Sequence, residues 1–352
     1  MEIQTMPHAT DLLGPLRTQI RRTLDPLIPL GSSCAFIDFP HHANVGDSAI
    51  WLGEIAYLES RNCKVIHICD ASNYNTHAMR AAIGQNIILI TGGGNFGDLY
   101  PNHQNLRERV IREFPDNRII QFPQSIHFAD AGNLARSQAI LSQHKDFHFV
   151  VRDTVSLQLA QQNYNNPTYL CPDMALMLEL KPLRSQSKTS DVVILSRVDE
   201  EKASHFSSKV GMHLNSVVMD WLDEPEPKHE WLYDWSHRHL GWGSSKVPPF
   251  ILNKLALVAA NAMARQRLAR GLGLLGQGKV VVTDRLHAII LSWLGGTPVF
   301  FVDNSYNKLS NFINTWLKDS PGLVRCASFE DALAQAQAEY WPDTPARTSN
   351  LV

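Results

Sequence analysis

Two residues apart in the run TDRLHAIILSWLGG, Arg285 and His287 stand where a β-branched apolar stretch gives way to a helical one. A guanidinium grips a carboxylate or phosphate through two parallel hydrogen bonds, and an imidazole changes charge near neutral pH. Together they can hold an anion and move a proton beside it. The free amides and positive dipole of a helix start favour the same anion. One strand later, VDNSYNK returns the chain to the same sheet edge, bringing Asp303, Asn304, Ser305, Tyr306 and Lys308 with it.

The first half of the chain carries a second set. HHANVGDSAIW places His41, His42, Asn44, Gly46 and Asp47 between a strand and a helix. Asp47 or Ser48 as a helix cap explains the residue types, but not two histidines and an asparagine in one loop. TGGGNFGD follows the strand NIILI. Its glycines Gly92, Gly93 and Gly94 let a backbone approach a ligand or another strand closely, with Asn95 and Asp98 beside them. It lacks the GxGxxG dinucleotide pattern and the GK pair of a phosphate-binding P-loop. Gln124 and Ser125 in FPQSIHF, Arg152 and Asp153 in VVRDT, and Arg197 in LSRVDEE each follow an apolar run. An arginine there can equally serve a helix-start salt bridge. The repeated placement at strand carboxyl ends is the stronger signal, because ligands of open α/β sheets bind there. His41 and His42 lack a spaced carboxylate or cysteine to complete a metal site, so no metal is expected.

The elements that must position these residues alternate. Strands are expected near residues 34–39, 64–68, 86–90, 118–122, 147–151 and 168–170, with helices near 48–60, 75–83, 104–114, 132–144 and 154–162. Near-continuous apolar strands separated by helices read as parallel sheet covered on both faces. KPLRSQSKTS breaks the periodicity, after which strands at 191–196 and 215–220 begin a second α/β series. The expected division is therefore an N-terminal Rossmann-like domain over 1–182 and a C-terminal one over 190–320. The latter carries an irregular, tryptophan-rich insertion at 223–249, and a helical extension follows at 321–352. Two parallel sheets facing across a cleft, a GT-B-like glycosyltransferase architecture, is the expected fold.

Composition narrows the function. Of 352 residues, 32 are basic and 34 acidic, so no broad positive field invites nucleic acid. Five cysteines without a CxxC pair (Cys34, Cys63, Cys69, Cys171, Cys326) read as reduced thiols. No signal-peptide pattern opens the chain, and no apolar run nears the ~20 residues of a membrane span. A cytoplasmic protein is expected, meeting any lipid-linked substrate peripherally at the inner membrane face. The aromatic and basic run WLYDWSHRHLGWGS (231–244) offers faces for a sugar or for such a surface.

The ordered set NVGD, GGGNFGD, PQS, VVRD, CPDMA, SRVDEE, TDRLHA and DNSYNK resembles the polysaccharide pyruvyl transferase family over roughly residues 35–318. One departure is Asn307, where glycine is expected before the lysine. The resemblance implies transfer of a pyruvyl group from phosphoenolpyruvate to a sugar of an exopolysaccharide or other cell-surface glycan, commonly as a cyclic ketal, with release of phosphate and no further cofactor. It implies His287 as the proton-transfer residue with Arg285 beside it, and Arg152, Arg197, Lys308, Ser305 and Tyr306 around the donor's two anionic groups. Asn44, Gly46, Asp47, Gly92, Gly93, Gly94, Asn95, Asp98, Gln124 and Ser125 then form binding loops for the acceptor or the rest of the donor. A nucleotide-sugar glycosyltransferase and a non-catalytic glycan-binding relative are the competing readings.

Overall fold

The structure is a computed structural model describing residues 9–183, 188–197, 214–222, 224, 227–242, 246–303, 307–318 and 320–342. Its residues form two compact units: Pro15–Leu178 with Glu224–Arg267, and the described residues of Met1–Gly14, Glu179–Asp223 and Leu268–Val352.

In the larger unit, α1 (Ala9–Leu24) leads into β1 (Ser33–Ile37), α2 (Val45–Ser60), β2 (Lys64–Cys69), α3 (Thr76–Ile83) and β3 (Ile87–Ile90). Then come β4 (Gly93–Gly97), α4 (Pro101–Glu113), β5 (Ile119–His127), α5 (Ala131–Leu141), β6 (Phe147–Val151), α6 (Thr154–Asn163), β7 (Thr168–Leu170) and a 3₁₀ turn at Met174–Met177. All strands pair in parallel, in the order β2-β1-β3-β5-β6-β7, with β4 on the far end of β5. The strands are apolar because both faces are covered: Ile37, Ile88, Ile90, Phe147 and Phe149 all lie in one buried cluster with residues of the helices.

The smaller unit contains β8 (Ser190–Leu195), β9 (Ser216–Met219), β10 (Gly278–Thr283), α9 (Leu286–Leu294), β11 (Val299–Val302), α10 (Lys308–Trp316), β12 (Leu323–Cys326) and α11 (Phe329–Tyr340). Its parallel sheet runs β12-β11-β10-β8-β9. Between β9 and β10 the chain forms α7 (Glu230–Trp242) and α8 (Pro249–Leu275).

Counted within each unit and leaving out β4, both sheets have the doubly wound order 2-1-3-4-5, extended by a sixth strand in the larger. The order reverses between the first and third strands, so a crevice opens beyond their carboxyl ends, where nothing crosses over. These switch points lie after β1 and β3 in one unit and after β8 and β10 in the other.

Four elements differ from expectation. The GGGNFGD loop is the strand β4: Gly93 and Gly97 adopt φ of 131° and 132°, and a side chain at Gly97 would collide with the His127 carbonyl. β5 does not stop before Pro123 but runs on to His127, so Gln124 and Ser125 are strand residues. The 223–249 insertion holds a regular helix, α7, and Glu224–Arg267 cluster with the larger unit rather than the C-terminal half. The expected helical extension contains β12, which completes the second sheet against β11. No helix of the described residues is long and apolar enough to cross a membrane.

Candidate active site

At the larger unit's switch point, β1 is followed by Asp38, a buried aspartate with φ 68°. A left-handed conformation costs a non-glycine residue about 1 kcal/mol, less for Asp and Asn, and such cost concentrates at functional sites. Thr91, leaving β3, donates through its amide and hydroxyl to Ile37 O, tying the two strand ends together. Asn95 of β4 donates from Nδ2 to Asp38 Oδ2 at 3.3 Å, and Nδ1 of His103 on α4 lies 2.7 Å from Asp38 Oδ1.

Behind Asn95 lies a cation that its position in α4 did not advertise. Arg107 is fully buried and makes no carboxylate ion pair among the described residues. Its three nitrogens donate instead to Gln121, Gln104 and Asn95 at 2.6, 2.8 and 2.8 Å, and its guanidinium lies over the Phe96 ring at 4.5 Å. Burial lowers its pKa to about 10, against the opposing charges of Asp38 and Glu108. Gln124 donates to Asn95 Oδ1 and to Thr91 O, locking β4 to the end of β3.

The helix after β1 begins at Val45, and its cap is Asn44 rather than Asp47 or Ser48: Asn44 Oδ1 accepts from Gly46 N at 3.0 Å while its Nδ2 donates to Asp47 Oδ2 at 2.8 Å. Asp47 lies 3.6 Å from His42, and a Cβ at Gly93 would come within 3.7 Å of its carboxylate. Sequence motifs 46 residues apart therefore share one edge. Beneath them, Glu54 is wholly buried. One of its oxygens accepts from Gly92 N at 2.7 Å and the other has no hydrogen-bond partner among the described residues. Burial pushes this carboxyl well above the usual range, the Gly92 bond opposes that, and Asp173, Asp38 and Asp47 add to the rise.

A pocket of about 490 Å³ opens at this edge, walled by Phe39, His41, His42, Asp70, Tyr74 and His103 among others. His41 bridges Asp70 at 3.3 Å and Glu230 of α7 at 3.2 Å, so the insertion helix closes one side. Arg267, paired with Glu224, donates to Pro40 O and steadies the same loop.

Two expected ligand groups sit elsewhere in the unit. Arg152 is 1% exposed and donates to Asp173 at 2.6 Å and to Ser125 Oγ at 2.9 Å, while Ser125 donates to Asp153. This network joins β5, β6 and the 3₁₀ turn. Asp98 accepts from the amides of Ala129 and Asp130, bridging β4 to the start of α5.

The smaller unit's switch point is cationic. Arg197 follows β8; Arg285 follows β10 and is the residue before α9, whose second residue is His287. All three are buried. Arg285 donates to Asp220 Oδ1 at 2.9 Å, and its guanidinium lies 5.7 Å from the Trp221 ring, so its position is set before any ligand arrives. Between the strand ends stands Asp284, fully buried. Its Oδ1 accepts from Arg197 N at 2.8 Å, and its Oδ2 has no hydrogen-bond partner among the described residues. Burial raises it to about 6, against the Arg197 amide and the nearby arginine charges. After β11, Asp303 accepts from the amides of Leu309 and Ser310, capping α10, whose first residue is Lys308. Asn307 has φ 56°, which is why glycine is expected there and why asparagine is tolerated. Asn304, Ser305 and Tyr306 lie outside the described residues. Among the described residues no group of three or more His, Cys, Asp or Glu is placed to hold a metal ion.

Known proteins place this arrangement. The family model "Polysaccharide pyruvyl transferase" matches residues 44–306, beginning at the cap of α2 and taking in β11. The chain belongs to the polysaccharide pyruvyl transferase family. It is 33% identical over 301 residues to "Pyruvyl transferase 1" of Schizosaccharomyces pombe, covering 80% of this chain and 69% of that one. To the protein named "Putative pyruvyl transferase EpsO" of Bacillus subtilis it is 28% identical, covering 90% and 96%. A solved structure of an uncharacterized Klebsiella pneumoniae protein superposes with a TM-score of 0.55 at 19% identity, covering 89% of this chain and 99% of that one. That likeness concerns the fold. As a polysaccharide pyruvyl transferase, the enzyme moves a pyruvyl group onto a polysaccharide, and both switch-point clusters lie within or beside the matched residues.

Proposed function

We propose that the donor is phosphoenolpyruvate and that the product is a cyclic pyruvate ketal on one sugar of a cell-surface polysaccharide, with release of phosphate. The observation that carries this reading is the cationic switch point: buried Arg285 at the mouth of α9, His287 one residue into that helix, and Arg197 at the neighbouring strand end. Phosphoenolpyruvate presents a carboxylate and a phosphate, and desolvated guanidiniums at a helix start are suited to both.

The chemistry assigns roles. Protonation of the donor methylene by His287 turns it into a methyl group and leaves a cationic carbon. A sugar hydroxyl adds to that carbon; phosphate then departs with its bonding electrons, and a second hydroxyl closes the ketal. Of the two hydroxyl protons, one balances that spent on the methylene and the other leaves with phosphate. Arg285, Arg197 and Lys308 neutralise the donor's charge and the departing phosphate.

Calorimetric titration of the full chain with phosphoenolpyruvate, and separately with a set of nucleotide sugars, tests the reading. Binding of phosphoenolpyruvate that Arg285→Ala weakens at least tenfold supports it. Nucleotide-sugar binding without phosphoenolpyruvate binding refutes it in favour of glycosyl transfer.

A further inference from the structure

The cationic switch point holds one acid that the donor chemistry above does not use. Thr283, the last residue of β10, donates from its hydroxyl to Leu195 O at 2.8 Å and accepts there from Arg285 N at 3.1 Å. Asp284 follows, fully buried, and its Oδ1 takes the Arg197 amide, so the ends of β8 and β10 are joined through it. Its Oδ2 faces no hydrogen-bond donor among the described residues. Burial raises Asp284 to about 6, and the Arg197 amide and the charges of Arg285 and Arg197 oppose that rise. A carboxylate kept ionised in this way depends on two guanidiniums that an incoming anion would also use. The other charged groups of the edge are His287 on α9, Asp220, which accepts from Arg285, and Asp303 and Lys308 beyond β11.

We propose that Asp284 competes with a bound anion for Arg197 and Arg285, so that an anion entering this switch point draws a proton onto Asp284. The proposal rests on the reading of this edge as the anion site, and every group in it belongs to the smaller unit. The anion brings a second negative charge beside the carboxylate, and like charges favour the neutral form of the one that can take a proton. The proton comes from solvent, and the only covalent bond formed is the O–H of Asp284. Linkage fixes the sign. Affinity for the anion is greatest where Asp284 is already protonated, falls as pH rises above about 6, and levels off once Asp284 is ionised in the complex as well. Asp284 thereby sets how tightly the site holds its anion near neutral pH.

The test is isothermal titration calorimetry of the full-length wild type and Asp284→Asn with sulfate, and separately with phosphoenolpyruvate, in buffers of differing ionisation enthalpy. Sulfate carries no proton of its own in this range, and asparagine keeps an oxygen for the Arg197 amide. Any proton taken up by His287 is common to both proteins, so their ratio isolates Asp284. The variant should bind sulfate as the wild type does at about pH 5 and about tenfold or more tightly than the wild type by about pH 8, each unit of rise in the complex being tenfold. At about pH 6.5 the wild type should take up about half a proton more than the variant. Equal affinities at every pH, or weaker binding by the variant at high pH, overturn the proposal and leave Asp284 a purely structural tie. Without any variant, infrared difference spectra of the wild type at about pH 7 must gain a protonated-carboxyl band on adding sulfate; no gain overturns it equally. This signature with sulfate but no binding of phosphoenolpyruvate upholds the proton coupling and overturns the donor assignment. A wild type that binds neither anion overturns both.

Discussion

The two sheets share a strand order but not a chemistry. Beyond β1 and β3 the larger unit gathers carboxylates, amides and histidines: Asp38, Asp47, Asn95, Gln124, His42 and His103, with Arg107 sunk behind Asn95. Beyond β8 and β10 the smaller unit gathers Arg197, Arg285 and His287 around two carboxyls, buried Asp284 and the Asp220 that accepts from Arg285. Doubly wound topology decides where a ligand goes; the residues at the reversal decide what it is. Amides, histidines and carboxylates suit the hydroxyls of a sugar, and clustered cations suit an anion. Arg152 and Arg285 sharpen the contrast. Both follow a strand, both are buried and both pair with an aspartate, but Asp173 is itself buried whereas Asp220 is partly exposed, and Arg285 lies at a helix mouth beside His287.

That difference predicts opposite phenotypes. Arg152→Met leaves Asp173 charged and buried, and urea unfolding should show a loss of about 3–5 kcal/mol, recovered in part by adding Asp173→Leu. A stable Arg152→Met protein with lost donor binding would instead restore Arg152 to the anion site. Arg285→Ala should cut kcat/KM for phosphoenolpyruvate by about 10²–10³, as for loss of one preorganised charge-stabilising donor, with less change in unfolding than Arg152→Met. Equal loss of stability in both variants would erase the contrast.

Asp284 supplies a pH signature for the cationic side. Folded Asp284 keeps its proton to about pH 6, whereas an unfolded aspartate loses it near pH 4. The folded state therefore binds more protons across that window, and stability falls as pH rises through it, by up to about 3 kcal/mol before levelling off. Asp284→Asn should flatten that part of the unfolding profile; an unchanged slope assigns the titration elsewhere. The smallest expected effect is at Asn307. Replacement by glycine relieves the left-handed backbone and should raise the unfolding free energy by no more than about 1 kcal/mol, with phosphoenolpyruvate binding unchanged.

The alternation of apolar runs and helical segments was legible because parallel strands covered on both faces must be continuously apolar, as IIL before TGGG and VVV before TDR are. β4 was not, since Gly93 and Gly94 carry no strand propensity and its pairing with β5 is imposed by a close backbone approach that only glycine permits. Pro123 hid the continuation of β5 in the same way. In the smaller unit the site was legible, for Arg285 and His287 stand two residues apart and follow a strand. In the larger unit Asn44, Asp47, Asn95 and Gln124 were legible in their loops, but Asp38, His103 and Arg107 were not. Asp38 and His103 are separated by 65 residues and meet only because the sheet brings β1 beside β3 and α4 follows β4. Arg107 reads as a solvated helix arginine until Gln104, Gln121 and Asn95 are folded around it.

The most direct test of the central claim is phosphate release from phosphoenolpyruvate by purified wild-type and His287→Ala protein, offered free and lipid-linked oligosaccharides, with products weighed by mass spectrometry. Acceptor-dependent release, a mass gain of one pyruvate ketal on the glycan and loss of both in His287→Ala are the predicted results. Ketal formation undiminished in His287→Ala, or transfer from a nucleotide sugar and none from phosphoenolpyruvate, would contradict the account.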